Sequence, residues 1–311
     1  MIKRSLIIYF FLFISANAEE IFDYDLVAKQ IAKDTYVFVG AKEDFSYKNG
    51  GNIVNTGFIV TEEGVVIIDT GPSYTYGSQM KQAIIEITNK PIIKILITHH
   101  HPDHFLGNQA FTGVPIFALP KTIQQLKREA NGFLDNMYRL VGKAMKDTEV
   151  ETTNIKPLSI TQEKLGRHHL EYIYLSGHTP SDLVIFDKET GVLFTGDLTF
   201  HNRALTTPHA QPEEWLNSLD VIKKVDFKII VPGHGEITEN LEPVEQTRDY
   251  LVWLEKTISN AVEHGLEMNE VLALPIPDRF KEFSVLNREF TRSVTHRYPV
   301  YEKNIFDELP Y

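Results

Sequence analysis

Thr98-His99-His100-His101-Pro102-Asp103-His104, directly after the apolar run Ile92-Ile93-Lys94-Ile95-Leu96-Ile97, decides how this 311-residue chain is read. The apolar run is a short β-strand, and the polar stretch is where that strand leaves the sheet. In extended backbone, residues i and i+2 point the same way, so His99 and His101 can grip one metal ion together. Pro102 turns the chain, so Asp103 and His104 aim at a different point. Two pairs aimed at two points are what a dinuclear centre needs, with ions roughly 3.5–4 Å apart. A single histidine in a loop would carry no such weight.

Further donors follow at the ends of other apolar runs. His178 stands in Ser176-Gly177-His178-Thr179-Pro180 after Leu170–Leu175, Asp197 in Phe194-Thr195-Gly196-Asp197-Leu198, and His234 in Val231-Pro232-Gly233-His234-Gly235. Each lies beside a glycine, which reads as a strand-end loop where backbone passes close to a ligand. Earlier, Gly64-Val65-Val66-Ile67-Ile68-Asp69-Thr70-Gly71 is a further strand ending in an aspartate. Asp69 reads as a partner that orients a ligand histidine rather than as a ligand.

Taken together, these motifs and their order resemble the metallo-β-lactamase superfamily over roughly residues 30–240. The resemblance implies an α/β, four-layer αββα sandwich with the ligands gathered along one edge of two sheets. It implies that His99, His101 and His178 hold one ion and that Asp103, His104 and His234 hold the other, with Asp197 bridging. Nitrogen and oxygen donors suit two Zn²⁺ and also allow iron or manganese. Water shared between two such ions ionises near neutral pH, and Asp103 is placed to orient it and carry its proton as the catalytic residue. The expected reaction is hydrolysis of an ester, lactone, thioester or amide of a small-molecule substrate. An aspartate bridge lowers the Lewis acidity of both ions, which disfavours the amide of a β-lactam.

Three stretches carry a finer resemblance, to the quinoprotein relay system zinc metallohydrolases. They are Gly50–Val60, Asp69-Thr70-Gly71-Pro72-Ser73 with Tyr76-Gly77, and His104-Phe105-Leu106-Gly107-Asn108-Gln109-Ala110-Phe111. That likeness implies a periplasmic PQQ-dependent dehydrogenase as partner. Alternatives stay open: a β-lactamase, a mononuclear iron persulfide dioxygenase, or a metal-binding accessory protein without turnover.

The ends and the composition place the protein. Residues 1–18 read as a signal peptide: Lys3 and Arg4, the apolar stretch Leu6–Ile14, then Ala16-Asn17-Ala18 as a small-residue cleavage site. The expected location is periplasmic or secreted, with no membrane span after signal cleavage. Cleavage removes Lys3 and Arg4 and takes the formal charge from −11 to −13. Such an acidic chain is unsuited to neutralising phosphates, so no nucleic acid is expected as partner. Zero cysteines exclude disulfides and thiolate metal sites.

Residues 19–260 are expected to form the metallo-β-lactamase-fold domain, with 261–311 a C-terminal helical tail packed on it. Helices are expected over Gly77–Thr88 and over 120–146, where Ile123, Leu126, Ala130, Phe133, Met137, Val141 and Met145 recur at steps of three and four. The loop Phe200-His201-Asn202-Arg203 should border the site, with His201 and Arg203 as substrate-binding candidates. His209 reads as a loop histidine, and His100 should point away from the metals.

Overall fold

Four apolar residues in a row, Val65–Ile68, form a strand buried on both faces, and the two faces meet different cores. Val65 and Ile67 pack with the helical side, among Tyr76, Met80, Ile84 and Leu126. Val66 and Ile68 pack with the other sheet, against Leu183, Ile185 and Phe194. Period-two alternation therefore builds two cores from one continuous apolar run.

The computed structural model describes residues 21–308, so the expected signal peptide at 1–18 lies outside the described residues. The first sheet has seven strands in chain order: β1 Lys29–Ala32, β2 Thr35–Phe38, β3 Thr56–Val60, β4 Val65–Ile68, β5 Ile92–Leu96, β6 Ile116–Ala118 and β7 Ile155–Pro157. Pairing is antiparallel through β4 and parallel from β4 to β7. The second sheet has five: β8 Gln162–Leu165, β9 His168–Leu175, β10 Asp182–Asp187, β11 Val192–His201 and β12 Ile229–Gly235, again in chain order. Only β11 and β12 run parallel there.

Helices cover both outer faces. On the first sheet lie α1 Tyr74–Ile87, the single turn α2 Pro102–Phe105, and α3 Pro120–Val141. On the second lie α4 Pro212–Ile222, α5 Glu242–Glu263, α6 Met268–Leu272 and α7 Leu286–Glu308. The result is the expected αββα sandwich. No described helix is long and apolar enough to cross a membrane.

Two boundaries differ from the sequence reading for local reasons. Helix α1 starts three residues before Gly77, because Ser73 caps it by accepting from the Tyr76 amide at 3.1 Å. Helix α3 ends at Val141 rather than 146. Gly142 takes φ +61 there, and a 3₁₀ turn completes the segment.

The C-terminal segment enters the core of the second helical layer. Phe280, Phe283, Phe290, Val294 and Tyr298 are buried with Tyr250, Leu254 and Ile258 of α5. It also grips the loop that follows β11: Ala204 donates to the Ser284 carbonyl at 3.1 Å, and Thr207 Oγ1 meets Ser293 Oγ at 2.7 Å.

Candidate metal centre

All seven expected ligands converge where the two sheets meet, and each is buried. His99 and His101 leave the end of β5, Asp103 and His104 sit on α2, and His178 lies in the β9–β10 loop. Asp197 and His234 come from β11 and β12. Asp197 is a correction to the strand-end reading: β11 continues to His201, and the aspartate sits at an irregularity where pairing with β12 shifts between Gly196 and Phe200. Gly196, at φ +51, makes that kink. Gly233 provides the clearance, since a Cβ there would lie 1.9 Å from Asp197 Oδ1.

The donors fall into two groups that share one carboxylate. In the first, His101 Nδ1 is 3.0 Å from His99 Nε2 and 2.8 Å from His178 Nε2. In the second, Asp103 Oδ2 is 3.4 Å from His234 Nε2 and 3.8 Å from His104 Nε2. Asp197 reaches both: its Oδ2 is 3.3 Å from His178 Nε2 and 3.1 Å from His234 Nε2, and its Oδ1 is 3.3 Å from His104 Nε2.

These residues fit a divalent cation. Two ring nitrogens lie about 3 Å from His101 Nδ1, and the donors of this group lie within 4.8 Å of one another, a spacing that suits one tetrahedral ion with N–metal bonds of roughly 2.0–2.1 Å. Asp103 Oδ2 and His104 Nε2 are buried without any hydrogen-bond partner, and a cation between them supplies what is missing. The electrostatics agree. Burial opposes a charge on His104, but Asp197, Asp69 and Asp103 outweigh it and hold that imidazole well above its usual range. Positive charge is thus favoured where the second group meets. Burial, with His104 and His234 nearby, pushes His178 down to about 3 against the pull of Asp197, which leaves a neutral ring free to ligate.

Two ligands are oriented by hydrogen bonds from behind and a third by packing. His104 Nδ1 lies 2.8 Å from Asp69 Oδ2, and Asp69 also accepts from the Thr98 amide and hydroxyl, each at 2.8 Å. His234 Nδ1 lies 2.7 Å from the Ile53 carbonyl. That carbonyl belongs to a loop fixed by Asn55, whose amide donates to the Pro232 and Gly235 carbonyls at 2.9 Å. Trp215 is fully buried, donates to the Leu198 carbonyl at 2.9 Å and stands edge-on to His178 at 5.3 Å. Truncating it would cost about 3–5 kcal/mol and loosen that ligand as well.

The remaining candidates separate. Arg203 lines the cleft together with Asp103, Asp197 and His234. Its guanidinium lies 5.6 Å from the Phe200 ring, which stacks on His234 at 5.3 Å. His201 does not border the cleft as expected. Its Nδ1 is 2.8 Å from the carbonyl of Glu236, just past the end of β12, and its Nε2 is 3.6 Å from Glu242. His100 turns away from the metal group to Glu129, at 3.1 Å. Reading the sequence alone missed His209, whose Nδ1 is 2.8 Å from His101 Nε2. It also missed Glu289 and Arg292 of α7, which line the cleft. Nothing local in the sequence marks these three, because α7 and the β11–α4 loop reach the site only through tertiary packing.

Comparison with known proteins agrees with this geometry. The chain is 23% identical over 280 residues to a linear primary-alkylsulfatase from a Pseudomonas species, covering 76% of this chain and 53% of that protein. It therefore spans about half the length of that relative. It is 24% identical over 219 residues to an acyl-coenzyme A thioesterase from Homo sapiens, covering 60% of this chain and 75% of that one. The solved structure of a metallo-β-lactamase from Pontibacter korlensis superposes with a TM-score of 0.58 at 20% identity, covering 73% of this chain and 99% of the other. The profile of the metallo-beta-lactamase superfamily matches residues 49–234, which include all seven donors. The chain belongs to the metallo-β-lactamase superfamily.

Proposed function

We propose that this protein is an exported dinuclear zinc hydrolase acting on an ester, lactone or thioester of a small anionic substrate. The observation that carries the reading is Asp197, whose two oxygens lie within 3.3 Å of nitrogens from both ligand groups. His99, His101 and His178 would hold one ion, Asp103, His104 and His234 the other, and Asp197 would touch both. When bound, two such ions supply an activated water and polarise the scissile carbonyl.

The chain's own residues do the rest. Asp103 is buried, and its Oδ2 has no protein partner. With Oδ2 turned toward the second ligand group, its other carboxylate oxygen would orient the attacking water and hold its proton until the leaving group takes it. Asp197 spreads negative charge over both groups, which suits alkoxide and thiolate leaving groups better than an amide nitrogen. Arg203 is 2% exposed, and its Nε has no partner. A carboxylate, phosphate or sulfate on the substrate would satisfy that guanidinium in the cleft. The alkylsulfatase and thioesterase relatives support hydrolysis at oxygen or sulfur leaving groups.

Export rests on residues 1–18. A dehydrogenase partner rests on the sequence resemblance of 50–60, 69–77 and 104–111 to the relay hydrolases. The test is a panel of anionic esters, lactones, thioesters, alkyl sulfates and β-lactams offered to the purified chain before and after chelation. The reading expects ester, lactone or thioester turnover, lost on chelation and restored by zinc. Faster cleavage of β-lactams than of every other class overturns it.

A further inference from the structure

We propose that His209 and Glu129 are the positioning residues of His101, so that one metal ligand is set by a relay running out to the C-terminal helix. The inference rests on the metal reading above. His101 points Nδ1 into the first ligand group, 3.0 Å from His99 Nε2 and 2.8 Å from His178 Nε2. A ring that ligates through Nδ1 carries its proton on Nε2. That nitrogen is 2.8 Å from His209 Nδ1, so His101 donates and His209 accepts. The proton of His209 then lies on its Nε2, which faces Glu129 Oε2 at 3.7 Å. His100 Nε2 donates to the same oxygen at 3.1 Å.

A ligand histidine usually hands its second nitrogen to a carboxylate or a backbone carbonyl. His104 and His234 follow that rule with Asp69 and Ile53. His101 instead hands its second nitrogen to an imidazole, which faces a carboxylate across 3.7 Å, outside hydrogen-bond distance, and these two residues come from distant elements. Glu129 is on α3. His209 is in the loop between β11 and α4, and α7 holds that loop through Thr207 with Ser293 and through Arg297, whose Nη1 donates to the Ala210 carbonyl at 3.3 Å. The orientation of one ligand is thereby tied to the docking of α7. An additional ion is the competing use of these atoms, since donor nitrogens of His100, His101 and His209 also lie within 4.8 Å of one another.

The test compares zinc affinity of the full chain by competition with a chromophoric chelator, alongside total zinc by elemental analysis and a thermal melt. His209→Ala removes the acceptor, whereas His209→Asn places an amide oxygen where Nδ1 was. Retention of the ion held by His99, His101 and His178 should fall about 10–100-fold in the alanine variant, the scale for losing a ligand-orienting partner. The asparagine variant should recover most of that loss, and Glu129→Gln should fall between wild type and His209→Ala. Equal affinity of His209→Ala and wild type overturns the proposal. So does an asparagine variant as poor as alanine, since packing rather than the hydrogen bond would then be what matters. A third ion on the wild-type chain that His209→Ala loses makes His209 a ligand and also overturns it. A wild-type chain that retains no ion overturns both this inference and the metal reading, whereas the other outcomes leave that reading standing.

Discussion

Asp69 separates what holds the fold from what holds the metal. Its carboxylate accepts from the Thr98 amide, the Thr98 hydroxyl and His104 Nδ1, all at 2.8 Å in a fully buried setting. Asp69→Ala strips an acceptor from three buried donors, each costing about 1–3 kcal/mol when left unpaired. Asp69 also sits at φ +59, a conformation that alanine adopts at a further cost of about 1 kcal/mol. A loss of roughly 4 kcal/mol or more is expected, large against the stability of an ordinary domain. Asp69→Asn behaves differently. The side chain keeps its shape, tolerates positive φ and still accepts from the Thr98 amide. Its NH₂ now faces His104 Nδ1, so the ring proton moves to Nε2, the nitrogen that points toward Asp197 and Asp103. The asparagine variant should therefore keep more stability than alanine while losing zinc affinity about 10–100-fold. Urea unfolding of the metal-free protein gives the first quantity, and chelator competition gives the second. An asparagine variant that binds zinc like wild type would refute the assignment of His104 Nε2 as a ligand atom.

Three other outcomes follow from the same geometry. Asp197→Ser should weaken retention of the second ion and lower ester or lactone turnover by about tenfold or more, read as zinc content and initial rates; unchanged zinc content contradicts the bridging role. Gly233→Ala puts a Cβ 1.9 Å from Asp197 Oδ1, so zinc binding should be lost while much of the second sheet survives, seen by elemental analysis beside circular dichroism. Acid should destabilise the metal-free fold through His178 and His100, which burial, with neighbouring histidines, pushes down to about 3 and about 4. Both rings stay neutral in the fold, while the unfolded chain takes up protons below about pH 6.5. Their stabilising effect is thus complete above pH 6.5 and declines as pH falls toward 4, by about 1.4 kcal/mol per unit for each ring. A urea midpoint that rises from pH 6.5 to 4.5 contradicts this.

What could be seen in the sequence was local. His99, His101, Asp103 and His104 are fixed by strand alternation and one proline, so their convergence needs no long-range knowledge. His178, Asp197 and His234 were visible as donors beside glycines after apolar runs. The reason for Gly233, though, is contact with a carboxylate 36 positions away. Where β11 ended was not visible, because Leu198 and Phe200 continue the strand across an irregularity. That extension turned His201 to the Glu236 carbonyl instead of the cleft. His209 and Glu129 read as ordinary loop and helix-face residues, since their partners lie 108 and 29 positions away. The C-terminal aromatics gave an apolar segment but not its place, and it is α7 that brings Glu289 and Arg292 to the cleft.

On the proposed reading, the seven donors form two metal sites sharing Asp197. The most direct test is elemental analysis of the chain purified without chelators, referenced to protein concentration. Two zinc ions per chain, with one lost preferentially in Asp197→Ser, is the expected result. A single iron at full occupancy, with no second metal recoverable on titration with zinc, would contradict the account.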